Sequence, residues 1–217
     1  MTIMKKIFAT LLAVSMMLIG TRASAQMVTG AGYFFASEKA GNSEAVAHHG
    51  FYLGASYNIP IVAGLGVAPG LYLDMLVYGK TAASGGSWAN YYLAGRYREF
   101  AVNVPVNVNY RFGLGDNAAL LVYAGPTFQV GIASTTTVSG EVKIFGIMAS
   151  DGTEFNHYNG DNGDRNRFNM SVGGGIGFEV GDLLFTVGYD RSLLNYVKSD
   201  DYTAARNMIK AGINFAF

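Results

Sequence analysis

The chain has 217 residues with 15 basic and 15 acidic side chains and no cysteine, and its charged fraction of 14% is well below the ~25% of an average soluble domain. The lack of cysteine excludes disulfides, thiolate chemistry and a lipidated N-terminal cysteine, and the charge balance offers no basic patch for nucleic acid. Glycine (29), tyrosine (14) and phenylalanine (14) are abundant, which favours strands and tight turns.

Residues 1–25 have the organisation of a secretory signal peptide. Lys5 and Lys6 give a positive start, Ile7 to Ile19 is apolar, and Ala23-Ser24-Ala25 is a small-x-small cleavage site. A membrane anchor is the alternative, but the apolar run is shorter than the ~20 residues that a spanning helix needs. We expect the mature chain to begin at Gln26 and to form one domain, 26–217, which keeps all the acidic residues and loses three basic ones.

Eight segments after residue 25 alternate apolar and polar residues with the period of a β-strand. They are approximately 27–36, 50–60, 65–79, 97–112, 118–134, 167–180, 183–196 and 204–217. In the fourth, valines at 102, 104, 106 and 108 alternate with Asn103, Pro105, Asn107 and Asn109. Each segment is at least as long as the ~9–11 residues that a tilted transmembrane strand needs.

The polar face of these strands consists mostly of Asn, Ser, Thr and Gly, where a face open to bulk water would carry more Lys and Glu. This choice predicts a narrow, packed barrel interior, with the apolar face turned outward to lipid. A secreted soluble barrel that carries a small apolar ligand is an alternative interpretation. It would place Val102, Val104, Val106 and Val108 inside and the asparagines outside.

Connection lengths alternate along the chain. The links around Ile61–Gly64, Gly113–Asn117 and Gly181–Asp182 are short, whereas 37–49, 80–96, 135–166 and 197–203 are longer. Outer-membrane barrels have short periplasmic turns and longer external loops, so this parity predicts an even-stranded barrel with both termini on the short-turn side. The last strand ends at Phe217 on its apolar face, which favours closure of the barrel through this strand in lipid.

Three stretches carry a resemblance to a known family: Gly64–Leu73 (GLGVAPGLYL), Phe100–Phe112 (FAVNVPVNVNYRF) and Leu121–Gly131 (LVYAGPTFQVG). They resemble the porin-family outer-membrane β-barrel domain of Gram-negative bacteria, and the expected architecture is similar to the small OmpA and OmpX barrels. The strand that ends at Phe217 looks like the sorting signal read by the barrel-assembly machinery. No periplasmic peptidoglycan-binding domain is expected after the barrel.

Candidate chemistry is sparse. His48, His49 and His157 lie in predicted loops, where an enzyme interpretation would pair one of them with Ser43 and Glu44, or with Asp151 and Glu154, as in lipid-modifying barrels.

The acids Asp151, Glu154, Asp161 and Asp164 match only a fragment of a calcium loop, and a flexible hydrated loop is preferred. Asp74, Arg111, Glu179 and Lys210 fall on polar faces, so they are expected to pair inside the barrel, with Arg111 and Glu179 as one ion pair.

Together these features predict an all-β, eight-stranded, antiparallel up-and-down transmembrane barrel of the outer membrane, monomeric and non-enzymatic. It would anchor four external loops for adhesion, envelope integrity or a minor porin-like role, with no catalytic residues, cofactor or metal. The expected partners are outer-membrane lipids and lipopolysaccharide, and the assembly machinery through Phe217. A lipid-A-modifying barrel enzyme is the alternative, and a wide pore is not expected because eight strands leave a filled interior.

Overall fold

A computed structural model describes residues 26–85, 89–144, 147–159, 163–199 and 201–217, so the predicted signal peptide lies outside the described residues. Strands dominate this part of the chain because apolar and small polar residues alternate with period two. The strands are β1 Gln26–Ala40, β2 Val46–Val62, β3 Leu65–Gly85, β4 Ala89–Gly113, β5 Ala118–Ile144, β6 Ile147–Asn156, β7 Phe168–Val180, β8 Leu183–Ser192 and β9 Ala204–Ala216. No helix in the described chain is long and apolar enough to cross a membrane.

Eight of these strands form a closed antiparallel barrel in the order β1-β2-β3-β4-β5-β7-β8-β9, and β9 returns to pair with β1. The closing register places Val28 opposite Ala216 and Ala40 opposite Ala204. Every described neighbour pair is antiparallel, so the predicted up-and-down barrel is confirmed. Closure satisfies the backbone amides of both edge strands, which is the condition for crossing hydrocarbon.

The barrel is apolar outside and polar inside. Leu53 is 60% exposed and Ile213 57%, whereas Asn103 is 4% exposed and Asn169 2%. On β4, Val108 is 52% exposed and its neighbour Asn109 only 4%. The outward set includes Met27, Phe51, Leu71, Leu73, Phe128, Ile132, Val172, Ile176, Phe185, Val187 and Ile209. The soluble-barrel interpretation, which required the valines inside, is therefore wrong.

Tight turns connect the strands at one end of the barrel. Gly64 (φ 88°) and Gly181 (φ 56°) adopt left-handed backbone conformations that glycine tolerates without strain. Both lie in predicted short turns, after β2 and β7. Because β1 starts beside the end of β9, the described termini share this end, as the parity of the connections predicted.

The connections at the other end are shorter than expected, since much of their sequence is strand. Segments 80–96 and 135–166 were predicted as loops, yet β3 continues to Gly85, β4 starts at Ala89, and β5 continues to Ile144 and turns back as β6. We call this projecting part of β3, β4 and β5, together with β6, the external sheet. The β4–β5 register shifts by one residue between Phe100 and Ala101 and is regular beyond that point, with Ala94 opposite Ser139 and Ser139 opposite Gly152. The backbone groups of these segments therefore bond to neighbouring strands and not to water.

Two other predicted boundaries differ. β1 and β2 extend through most of predicted loop 37–49, because residues as far as Glu38 and Val46 continue the pairing. The seventh predicted strand, 183–196, ends at Ser192 as β8. Residues beyond Ser192 leave the wall and turn across the barrel opening.

Interior packing depends on glycines at the seam between β1 and β9. Gly32 lies opposite Gly212, and the Tyr52 ring covers both; a Cβ on Gly32 would lie 2.3 Å from the Ala211 carbonyl oxygen. We expect Gly32→Ala to lower the free energy of unfolding by about 1–3 kcal/mol, because the ring and backbone must shift. Urea unfolding in lipid vesicles, followed by heat-modifiable gel migration, measures this change.

The matched control for this prediction is Gly113→Ala. An added Cβ at Gly113 meets nothing within 4 Å. The control is therefore expected to be neutral or to stabilise the barrel by up to ~1 kcal/mol through reduced chain entropy. Equal losses in the two variants would contradict the packing argument.

Candidate functional site

Two segments fold across the external opening of the barrel instead of projecting from it. They are the described residues of 157–159 and 163–167, after β6, and of 193–199 and 201–203, after β8. The amide of Asn166 donates to the Tyr196 carbonyl at 2.9 Å, and the amide of Gly131 in the wall donates to the Arg167 carbonyl at 2.7 Å. Tyr158 and Tyr196, which belong to these two segments, are buried. The described part of the 151–167 segment thus differs from the flexible, hydrated loop expected from its composition.

Beneath this cover lies a buried group of four charges, Glu38, Glu99, Arg165 and Arg206, which we call the mouth cluster. Arg206 is 1% exposed and lies opposite Glu38 in the β1–β9 register. Its Nη2 lies 2.7 Å from Glu38 Oε2 and 2.8 Å from Glu99 Oε2. Arg165, from the covering segment, pairs with Glu38, and its Nη1 lies 3.6 Å from Glu99. The two negative carboxylates and the two positive guanidinium groups sum to zero net charge, which buried charged groups require to be stable.

Aromatic and hydroxyl side chains surround the mouth cluster. Tyr97 donates to Glu99 at 2.5 Å, and Ser134 donates to Tyr97 at 2.9 Å. The Arg206 guanidinium lies 4.1 Å from the Tyr196 ring centre, and the Tyr196 hydroxyl donates to Gln129 at 2.7 Å. Burial raises the pKa of Tyr196 to about 12, so this hydroxyl remains a neutral donor. The cluster is therefore hydrogen-bonded as well as charge-balanced.

Below the mouth cluster, polar and apolar side chains line a central cavity of about 150 Å³. Lys210 Nζ lies 2.7 Å from Asp190 Oδ2 at this cavity, and Asp74 also lines it. Near the short-turn end, Arg111 pairs with Glu179 through contacts of 2.7 and 3.1 Å. The predicted Arg111–Glu179 pair is confirmed, whereas Lys210 pairs with Asp190, a residue that was not among the four expected charges.

Two of the three histidines lie on β2 and not in a loop, because β2 starts at Val46. His48 points inward, with its ring 5.2 Å from that of Tyr78, and His49 contacts the Tyr33 hydroxyl. Ser43 donates to the Ala40 carbonyl at 2.5 Å. The hypothetical pairing of a histidine with Ser43 and Glu44 is thus replaced by other contacts.

The third histidine has a hydroxyl and a carboxylate on its two ring nitrogens. His157 Nε2 lies 2.7 Å from Thr136 Oγ1, and Nδ1 lies 2.8 Å from Asp164 Oδ1. With Nδ1 protonated, the ring donates to Asp164 and accepts from Thr136, which is the arrangement of a hydroxyl–histidine–acid triad. Thr136 lines the external mouth cavity with Tyr97 and Arg165, so it faces the barrel opening. Sequence reasoning missed Thr136 because it lies within a predicted loop.

The predicted calcium fragment is only partly described. Asp164 contacts His157, and Glu154 lies on the edge strand β6, while Asp161 and the side chain of Asp151 lie outside the described part. Within the described chain, no group of three or more His, Cys, Asp or Glu side chains is placed to hold a metal ion.

No family model and no curated protein matches this chain. Solved structures that are similar to it include Ail, the attachment invasion locus protein of Yersinia pestis, in complex with the heparin analogue sucrose octasulfate. Ail is 15% identical to this chain with a TM-score of 0.42, and the alignment covers 89% of this chain and 100% of the Ail chain. Neisserial surface protein A is 13% identical with a TM-score of 0.44 (90% and 100% covered), and the outer membrane enzyme PagL is 12% identical with a TM-score of 0.42 (85% and 98%). These similarities are too low to transfer a role, and the fold rests on the strand pairing itself.

Proposed function

We propose that the chain is an integral outer-membrane barrel protein without enzymatic activity, exported through a signal peptide, residues 1–25. The observation that carries this proposal is the closed barrel with an apolar exterior, a surface that is costly in water and favourable in hydrocarbon. Phe217 is 72% exposed at the end of this surface, and its amide donates to the Met27 carbonyl at 2.8 Å. It is thus available to the assembly machinery. Outer-membrane lipids and lipopolysaccharide would surround a monomer.

The role that fits this geometry is presentation of the external sheet and the covering segments at the cell surface, for adhesion or envelope integrity. The interior supports this choice over a wide pore. The external mouth cavity of about 280 Å³ and the central cavity of about 150 Å³ have the mouth cluster between them, where Arg206 and Glu99 line a void of only about 10 Å³. Passage of solutes larger than water would require that this cluster separate.

Fractionation and bilayer recordings test the proposal together. The full chain is expected in the outer membrane, with heat-modifiable migration on gels, and the purified barrel is expected to show no conductance steps of an open, water-filled channel. Recovery in the soluble periplasm would reject membrane insertion. A steady large conductance of the inserted barrel would be compatible with the outer-membrane location but would show that the interior is open to solutes.

The Thr136–His157–Asp164 contact supports a second candidate, a hydrolase that attacks an acyl ester through the Thr136 hydroxyl. Because Thr136 faces the external mouth cavity, its substrate would enter from the barrel opening and not from the surrounding lipid. Arg165, which lines the same cavity, forms ion pairs with Glu38 and Glu99, so its positive charge is already paired when a substrate arrives. This arrangement makes the non-enzymatic role the better supported of the two.

An ester assay separates the two candidates. The refolded barrel is incubated with a short-chain p-nitrophenyl ester, beside the variants Thr136→Val and His157→Gln. The proposed role predicts equal background rates for all three proteins. Hydrolysis by the parent chain that both substitutions abolish would establish the hydrolase instead.

A further inference from the structure

Among the described residues, the charges inside the barrel balance except at the central cavity. The mouth cluster has two positive and two negative groups, and Arg111 balances Glu179. At the central cavity, Lys210 is the cation and both Asp74 and Asp190 are acids, so one negative charge is in excess among the described residues. An uncompensated charge removed from bulk water is strongly unfavourable, so this site calls for a further positive partner.

Asp74 carries the excess charge. Asp74 is 6% exposed, and its Oδ2 atom has no hydrogen-bond partner in the described chain. The partner acid Asp190, by contrast, contacts Lys210 at 2.7 Å. Asn103, the neighbour of Asp74 on the interior face of β4, also has an unpaired buried atom, the amide nitrogen Nδ2. The two unsatisfied groups line the same cavity.

We propose that the central cavity binds one small monovalent cation, such as Na⁺ or K⁺, with Asp74 Oδ2 as its anionic ligand. Side chains with neutral oxygens line part of the cavity, on Tyr52, Tyr72, Asn103, Asn107 and Thr127, and apolar residues such as Leu121 and Leu184 line other parts of it. The volume of about 150 Å³ admits a cation together with a few water molecules, since a water molecule takes up ~30 Å³ in the liquid. A water bound to the cation can accept the free Asn103 N–H.

The ligand set selects charge as well as size. Hard cations prefer carboxylate, amide and hydroxyl oxygens, and divalent sites in proteins use several carboxylates. Here there are two carboxylates, one of them already paired with Lys210, and one excess charge matches one monovalent cation. Lys210 lies beside the site and would repel a second positive charge.

Unfolding in two salts of equal ionic strength tests this site. The barrel in lipid vesicles is unfolded with urea in sodium or potassium chloride and, separately, in choline chloride, whose methyl groups keep its positive charge out of coordination distance of a carboxylate oxygen. With the small cation at ten times its dissociation constant, the folded-to-unfolded ratio is expected to exceed that in choline chloride by about tenfold. Asp74→Asn is expected to remove this difference.

Glu179→Gln is the matched control, because it removes a buried acid from the Arg111 pair and leaves the central cavity unchanged. It is expected to keep the full salt difference. If Asp74→Asn does not fold, crystals of the parent chain soaked in thallium(I) are expected to show anomalous density beside Asp74 Oδ2. Equal stability of the parent chain in both salts, or density for water alone at this position, would overturn the proposal and indicate a protonated Asp74.

Discussion

Arg206→Met is expected to lower the free energy of unfolding by about 3–5 kcal/mol, the largest effect of any single substitution considered. The substitution keeps most of the side-chain volume and removes the charge that pairs with both Glu38 and Glu99. Arg165 then faces two buried carboxylates alone, and the stacking of Arg206 on Tyr196 is lost. Urea unfolding in lipid vesicles, read by gel migration, measures the loss.

Arg111→Met is the control for charge removal in the same barrel. The Arg111 side chain is 44% exposed and pairs with one acid near the short-turn end. Removing Arg111 leaves the mostly buried Glu179 unpaired, so a loss of about 1–2 kcal/mol is expected, smaller than at Arg206 because the Arg111 side of the pair is open to water. If Arg206→Met were no worse than Arg111→Met, the mouth cluster would not be the buried anchor of the external opening.

Leu53→Arg is expected to cost about 2–4 kcal/mol of folding stability in a bilayer, because it places a charge on the lipid face near the membrane midplane. Leu53 is 60% exposed at the middle of β2, between Ala31 on β1 and Leu73 on β3. On a soluble protein the same exposed position would accept arginine at little cost. Folding yield and unfolding in vesicles measure the difference.

Ile61→Arg is the matched control for Leu53→Arg. Ile61 lies on the same strand and is 61% exposed, but it adjoins the short turn, where the headgroups begin. A cost of only ~0–1 kcal/mol is expected there. Similar costs at the two positions would mean that the apolar face does not lie in a bilayer.

The barrel wall was predictable from the sequence because one physical rule governs it. One face of each wall strand contacts lipid and the other faces a crowded interior, so apolar and polar residues alternate, as Val108 and Asn109 do. This alternation can be read from the sequence without knowledge of the tertiary structure. The external sheet was missed because its strands stand outside the lipid and carry no such constraint. Their pairing is set by partners far along the chain, such as Ser139 for Ala94.

The mouth cluster was only partly predictable. Glu99 and Arg206 fall in phase with the inward positions of their strands, so extending the alternation to the strand ends could have indicated them. Glu38 lay two residues beyond the predicted end of the first strand. Arg165 comes from a segment without periodicity, and nothing local in its sequence indicates that it folds back into the barrel. Asp190 lies in the predicted strand 183–196 but was not among the four charges expected inside the barrel.

The seam between β1 and β9 joins the two ends of the described chain, with Val28 opposite Ala216. Contacts between residues so far apart in sequence are slow to form, since the loop between them must close first. Closure of the barrel therefore requires β9, and a chain truncated before residue 204 would leave β1 and β8 as two unpaired edges. Such a truncated chain is expected to aggregate more readily than the closed barrel.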